Sequence, residues 1–127
     1  MMDLAFGQRF ADEWAAAWNS HDLERILEHY TDDVVFASPR IVALMGEENG
    51  EVRGKDALRA YWGKGLKLLP DLCFCVEEVL VSVDTIVINY RNERRQAVAE
   101  VLTFRDGRVC RGFGAYGAEP ETTPPRS

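Results

Sequence analysis

The chain has 127 residues, of which 46% are hydrophobic and 28% charged, and this composition excludes a disordered chain. Its formal net charge of -6 argues against a nucleic-acid-binding protein, because binding phosphates requires a basic face. No apolar run approaches the roughly 20 residues of a membrane span, and the N-terminus lacks the features of a secretory signal. We therefore expect one cytoplasmic domain (1–117), with no membrane contact, followed by a disordered, proline-containing tail (118–127).

Two helices are predicted at the start of the chain. Between residues 4 and 19, Phe6, Phe10, Trp14 and Trp18 recur at every fourth position and form one aromatic face. Ser20 is expected to cap the second helix. The apolar positions of that helix follow the i, i+3, i+4, i+7 pattern and are Leu23, Ile26, Leu27 and Tyr30.

A short strand, a loop and a third helix are predicted next. The strand covers 34–36 and stops at Pro39. Glycines and acidic residues in 40–54 predict a loop, whose role in closing a cavity the sequence leaves open. A third helix is expected from Gly54 to Pro70. Its apolar side comprises Leu58, Tyr61, Trp62, Leu66 and Leu69.

The remainder of the domain predicts four antiparallel strands. They cover 74–82, 85–91, 95–104 and 108–116, and Asp106-Gly107 is a strong hairpin signal between the last two. Three helices followed by such a sheet predict an α+β domain in which the helices cover one sheet face.

The strand at 97–102 is apolar on both faces. Val98 and Leu102 share one face with Glu100, while Ala97, Ala99 and Val101 occupy the other. Since helices can cover only one face, the other needs a partner. A homodimer through this outer face is the simplest solution; cover by the tail or the long loop is the alternative.

Glu100 is the only charged residue among the apolar residues of that strand. A carboxylate there is costly unless it is paired or protonated, and desolvation would raise its pKa into the range useful for proton transfer. The alternative is a structural ion pair with Arg91 or Arg111. The sequence leaves both interpretations open.

Aromatic residues could either fill the core or line a pocket. This set comprises Trp14, Trp18, Tyr30, Trp62 and Tyr116. Gly112 and Gly114 lie beside Tyr116 on the last strand and are expected to leave space for a cavity.

No cofactor or metal is expected. The chain lacks a glycine-rich phosphate loop, and His21 and His29 are too far apart on a helix to suggest a zinc or iron site. Cys73, Cys75 and Cys110 are interpreted as small apolar fillers in a reducing compartment.

Several strings, in their order and spacing, resemble one family. They are 18–24 (WNSHDLE), 30–36 (YTDDVVF), 52–58 (VRGKDAL) and 101–104 (VLTF) through Tyr116. Together they resemble the SnoaL-like branch of the nuclear transport factor 2-like superfamily, also called cystatin-like. The resemblance implies a cone-shaped, curved antiparallel sheet wrapped around three N-terminal helices, a central cavity and a homodimer. Members include ketosteroid isomerases, polyketide cyclases, epoxide hydrolases, dehydratases and binding proteins without catalysis.

The resemblance also implies roles for individual residues. The general base of ketosteroid isomerases corresponds to Ser38, their oxyanion-binding tyrosine to Trp14 and their protonated acid to Glu100. A serine cannot serve as that base without a base of its own, so steroid isomerisation is not expected. The residues expected around the cavity are Trp14, Trp18, Tyr30, Phe36, Ser38, Trp62, Leu102, Gly112 and Tyr116.

Two functions remain from the sequence. The first is the binding of a small, mostly apolar molecule in a central cavity without strong catalysis. The second is an isomerase-, cyclase- or hydrolase-type enzyme that uses Glu100 as acid–base on a polyketide- or steroid-like substrate. A single carboxylate without an identified partner favours the first.

Overall fold

The computed structural model describes residues 2–120, and within them the chain forms four helices and six strands. The helices are α1 (Leu4–Ser20), α2 (Leu23–Leu27), α3 (Pro39–Met45) and α4 (Lys55–Leu68). The strands are β1 (Tyr30–Ala37), β2 (Glu51–Arg53), β3 (Cys75–Val81), β4 (Thr85–Arg91), β5 (Ala97–Arg105) and β6 (Arg108–Tyr116). Most of the predicted tail, 121–127, lies outside the described residues.

All six strands form one curved, open sheet in the order β2-β1-β6-β5-β4-β3, so the predicted α+β class is confirmed. The sheet is mixed rather than wholly antiparallel, because β1 pairs in parallel with β6. A parallel pair needs a long connection, and here the connection includes most of the chain. Register shifts within the β1–β6, β3–β4 and β5–β6 pairs are bulges of the kind that bend and twist a sheet.

Helix α1 begins where it was predicted, extends one residue further to Ser20, and has the predicted buried face. The Asp3 carboxylate caps it by accepting a hydrogen bond from Phe6 N at 2.8 Å. Phe10, Trp14 and Trp18 are buried in the core. The aromatic periodicity of the sequence therefore correctly predicted the face that packs against the sheet.

The second helix differs from its prediction at both ends. Ser20 is the last residue of α1, and its hydroxyl donates to Ala17 O at 2.6 Å. Asp22 is the N-cap of α2 instead, accepting from Arg25 N at 3.2 Å. Tyr30 begins β1, where Val109 N donates to His29 O at 2.8 Å and extends the pairing with β6. Long-range strand pairing thus overrides the helical pattern at Tyr30.

The predicted loop at 40–54 contains α3 and β2, so that prediction was wrong. Pro39 does stop a strand, but it also occupies the first turn of α3, where its missing N–H costs nothing. The Lys64 ammonium on α4 donates to Leu44 O at 2.7 Å and ties the end of α3 to α4. This segment consequently forms part of the wall around the interior.

The four later strands lie close to their predicted positions. Asp106 and Gly107 have φ angles of 52° and 82°, as a two-residue turn of type I′ requires. In the turn between β4 and β5, buried Asn92 and Gln96 bond to each other, Nδ2 to Oε1 at 3.0 Å. Gln96 Nε2 also donates to Gly117 O at 2.8 Å, which fixes the turn against the end of β6.

The cysteines at the start of β3 are not fillers. Cys73 and Cys75 are both exposed, whereas Cys110 is half-buried. Extended backbone around Phe74 turns both thiols away from the interior that holds Leu72. The interpretation as buried fillers was therefore wrong for these two residues.

A continuous apolar row crosses the outer face of the sheet. Leu80, Val87, Val101 and Phe113 are direct neighbours in the registers of β3, β4, β5 and β6. Leu80 is 45% and Phe113 44% exposed, so the row is open to solvent in the single chain.

None of the helices in residues 2–120 has both the length and the apolar character needed to cross a bilayer.

Candidate functional site

A small cavity lies between the helices and the inner face of the sheet. Its lining comprises Trp18, Arg40, Leu44, Tyr61, Trp62, Gly65, Leu66, Leu69, Leu72, Phe74, Tyr90, Asn92, Glu93 and Tyr116. The centres of water molecules can occupy about 70 Å³ of it. Helices α1, α3 and α4, the segment before β3, and the ends of β4 and β6 all contribute. The cavity therefore exists only in the folded chain.

Aromatic rings dominate this lining and pack against one another. The ring centroids are 4.9 Å apart for Trp18 and Trp62, and 4.5 Å apart for Phe74 and Tyr90. Trp14 packs behind Phe74 at 5.5 Å, and Tyr30 packs behind Trp62 at 4.9 Å. Edge-to-face and offset arrangements of this kind are favourable, and they hold the lining rings in place.

Glu100 lies on the inner face of β5, between Ile88 of β4 and Gly114 of β6 in the register. Tyr90 and Tyr116 both pair with Val98, one inward-facing position before Glu100. Glu100 is 5% exposed, and it is not among the lining residues. Its carboxyl group therefore lies outside the lining of the cavity.

The carboxyl group of Glu100 forms no ion pair with any of residues 2–120, and desolvation by burial raises its pKa to about 8. Arg91 bonds instead to Glu77, with Nε donating to Oε1 at 3.2 Å, and Arg111 is exposed. Neither of the arginines considered as partners therefore pairs with Glu100. At neutral pH the group is mainly protonated, and it could donate a hydrogen bond or release a proton in mildly basic solution.

Gly114 provides the room for this carboxyl group. A Cβ atom at Gly114 would lie 3.2 Å from Glu100 Oε1, and one at Gly112 would lie 2.9 Å from Leu102 Cδ2. The space that we expected to form a cavity beside these glycines is thus occupied by Glu100, Leu102 and Phe36.

Three buried donors near Glu100 and the cavity have no hydrogen-bond partner among residues 2–120. They are Trp14 Nε1, Trp18 Nε1 and Tyr30 Oη. Trp14 and Tyr30 are neighbours, but their polar atoms do not reach hydrogen-bond geometry. Burial raises the pKa of Tyr30 well above its usual value, and the nearby Glu100 adds to the effect. The interior can therefore donate more hydrogen bonds than it uses.

Ser38 lies at the end of β1, where it is buried and caps α3. Its hydroxyl accepts from Arg40 N at 3.2 Å. Burial raises the pKa of Tyr61 and Tyr116, while the nearby Ser38 hydroxyl partly opposes this. Ser38 thus has a local structural role and lies close to two phenols of the lining.

The structure brings three of the expected pocket residues to the cavity: Trp18, Trp62 and Tyr116. The others lie outside the lining, and they are Trp14, Tyr30, Phe36, Ser38, Leu102 and Gly112. The sequence left open whether the segment that begins at Arg40 closes the cavity, and it did not identify Tyr61, Tyr90 or Glu93 as lining residues. Of these, Tyr90 could have been found, because it shares the inward parity of Ile86 and Ile88 on β4.

Within the described part of the chain, no three His, Cys, Asp or Glu side chains come together in a group that could hold a metal ion. His21 Nε2 lies 2.8 Å from Leu72 O, and His29 Nε2 lies 3.4 Å from Glu13 Oε2. Both histidines thus have partners of their own in the fold.

Comparison with known proteins identifies relatives over almost the whole domain. A SnoaL-like protein of unknown function from Burkholderia thailandensis E264 is 41% identical with a TM-score of 0.88, covering 91% of this chain and 98% of its own. AclR from Streptomyces galilaeus is 23% identical, with a TM-score of 0.69 and 91% of each chain covered. An NTF-2-like protein of unknown function from Burkholderia xenovorans LB400 is 16% identical, with a TM-score of 0.66, covering 94% of this chain and 88% of its own.

No curated protein matches the sequence. The model of the SnoaL-like domain matches residues 11–112, which include the second half of α1, most of the cavity lining and most of the sheet. The predicted resemblance is therefore confirmed, and the chain belongs to the SnoaL-like family of nuclear transport factor 2-like proteins.

Proposed function

We propose that this protein binds a small, mostly apolar molecule in the aromatic cavity and that strong catalysis is not its role. The observation that carries the proposal is the lining itself, with six aromatic side chains around a space of about 70 Å³. Concave, largely apolar sites with a few polar groups are typical of small-molecule binding. The small volume of the cavity favours a ligand with a single ring.

The separation of Glu100 from the cavity supports binding over catalysis. A general acid or base must come within hydrogen-bond reach of the reacting group, whereas Glu100 is not among the residues that line the cavity. Glu93, at the turn after β4, is the one carboxyl group among the lining residues, and no histidine of the described chain lies beside it in the lining.

A cavity-filling substitution tests the proposed binding site. Leu66 is half-buried in the lining, so we expect Leu66→Trp to weaken the binding of benzamide, a neutral single-ring probe, by at least about tenfold, because the indole takes up the space. Isothermal titration calorimetry measures the affinity. Leu68→Trp is the matched control, since Leu68 is 56% exposed on the same helix and outside the lining. Equal affinity in both variants would place the probe elsewhere.

A second candidate is an isomerase-, cyclase- or hydrolase-type enzyme on a polyketide- or steroid-like substrate. The specific observation in its favour is Glu100, a buried carboxyl group with a pKa of about 8. Such a group can exchange a proton near neutral pH. For this function the ligand would have to reach beyond the lining residues to Glu100.

The Ser38 position tests that candidate. We expect the wild-type protein to show no isomerisation of a β,γ-unsaturated ketosteroid above background, because a lone serine is not a base. Ser38→Asp keeps a residue that can cap α3, and with Trp14→Tyr it should give more activity than either change alone. Product formation followed by absorbance measures this. Substantial wild-type turnover would contradict the expectation and favour Glu100 as the base.

We also propose that the protein is a homodimer through the outer sheet face. The in-register row of Leu80, Val87, Val101 and Phe113 supports it, because this face would leave large apolar side chains in water in a monomer. A two-fold axis would bring the same row of two copies together.

A further inference from the structure

One cationic side chain at the cavity, that of Arg40, forms no ion pair with a carboxylate of residues 2–120. Six arginines form ion pairs in the part of the chain described here, namely Arg25, Arg53, Arg59, Arg91, Arg94 and Arg105. Arg40 forms none, although it is half-buried and lines the cavity. The other arginines of residues 2–120 that form no ion pair are all exposed, and they are Arg9, Arg95, Arg108 and Arg111.

The fold holds Arg40 in a defined position. Its backbone N–H is bonded to the Ser38 hydroxyl in the first turn of α3. Its guanidinium carbon lies 4.8 Å from the centroid of the Tyr116 ring. A guanidinium over a ring uses its face for this contact, while its five N–H donors lie in its plane. No side-chain hydrogen bond among the described residues uses those donors, so they remain free to bind a ligand.

The carboxyl groups near Arg40 do not neutralise it by direct contact. Glu93 lines the same cavity, and its Oε2 is buried without a hydrogen-bond partner among residues 2–120. It is not within ion-pair distance of Arg40. Glu100 is mainly protonated at neutral pH, because burial raises its pKa to about 8. The Arg40 guanidinium and the Glu93 carboxyl group therefore face the same cavity without pairing with each other.

Two ligand charges could suit this lining, and the geometry distinguishes them. A ligand cation could lie against the aromatic rings and Glu93. However, Arg40 already occupies the cation position over Tyr116, so an ammonium group there would lie beside another positive charge. A ligand anion would meet free guanidinium donors in a site with apolar walls, where charge-assisted hydrogen bonds are strong.

We propose that Arg40 is a specificity-determining residue of the cavity, and that the ligand is a compact aromatic or apolar molecule with one anionic group, such as a carboxylate or an ionised enol. The anionic group accepts hydrogen bonds from the guanidinium, and the rings of Trp18, Trp62 and Phe74 enclose the apolar part. This inference rests on the proposed binding function and adds the charge of the ligand to it.

Three single-ring probes of similar size test the charge preference: benzoate, benzamide and benzylammonium. Calorimetric titration at pH 6.5 and low salt should give benzoate an affinity about tenfold higher than benzamide in the wild type, as expected for a hydrogen bond to a charged group. Arg40→Gln should lower the affinity for benzoate much more than the affinity for benzamide, so that the two probes bind about equally. Arg40→Lys should keep part of it, because the charge remains but the planar donors do not. Arg108→Gln, at an exposed site outside the cavity, is the matched control.

Three results would contradict the role proposed for Arg40. Equal affinities for benzoate and benzamide in the wild type, a preference that persists in Arg40→Gln, or tighter binding of benzylammonium would overturn the role of Arg40 and leave the binding function intact. If none of the probes binds, the proposed binding function fails, and this inference fails with it. The benzamide affinity of Arg40→Gln also shows whether that variant retains the folded cavity.

Discussion

Glu100→Gln is expected to increase the free energy of unfolding at pH 7 by up to about 3 kcal/mol. In the folded chain, burial raises the pKa of Glu100 from 4.5 to about 8. Between these two pH values the folded state binds more protons than the unfolded state, so wild-type stability falls as the pH rises through this window. Glutamine keeps the shape of the side chain and cannot ionise.

The difference in the free energy of unfolding between the wild type and Glu100→Gln should depend on pH. Below about pH 4.5 the carboxyl group is protonated in both states, so the wild type and Glu100→Gln should have similar stability. The difference should grow up to about pH 8 and then stay constant, because the folded state is ionised above that pH. Urea unfolding at pH 4.5, 6, 7 and 8.5 measures it.

A matched change on the surface serves as the control. Glu78 is exposed on β3, so Glu78→Gln should alter stability by less than about 0.5 kcal/mol at every pH. If Glu100 instead had a buried cationic partner, Glu100→Gln would destabilise the protein by a few kcal/mol, because it would leave that cation unpaired. A loss of stability at pH 7 would therefore refute the unpaired state of Glu100.

Val101→Lys is expected to convert the proposed dimer into a monomer. Val101 lies in the middle of the outer apolar row, between Val87 and Phe113 in the register. Both copies of a two-fold dimer carry the substitution in the same interface. Two ammonium groups would therefore be brought into apolar surroundings. Desolvation of charges costs several kcal/mol per ion, and the dissociation constant should rise by more than a hundredfold.

Light scattering over a concentration series distinguishes the two states. The wild type should have twice the chain mass of 14.4 kDa, and Val101→Lys should have that mass once. Val83→Lys is the control, because Val83 is 68% exposed in the turn between β3 and β4 and lies outside the row. A wild-type monomer at micromolar concentration would show that the outer face has no partner copy.

Local periodicity was sufficient to predict much of this fold. The four-residue spacing of Phe6, Phe10, Trp14 and Trp18 identified α1 and its buried face. The alternation within β5 correctly predicted that Glu100 points inward, because side chains of a strand change face at every residue. The hairpin at Asp106-Gly107 followed from the turn chemistry of two adjacent residues.

The environment of each side chain was decided only by tertiary structure. Tyr30 fits a helical pattern, yet pairing with Val109 in β6 places it on a strand. Trp14 and Trp18 share one helix face, and only Trp18 reaches the cavity, because Phe74 and Tyr90 pack against Trp14. No periodicity or motif in the sequence identified Arg40 as a residue that lines the cavity. Its position over Tyr116 depends on bringing α3 against the end of β6, a contact between segments far apart in the chain.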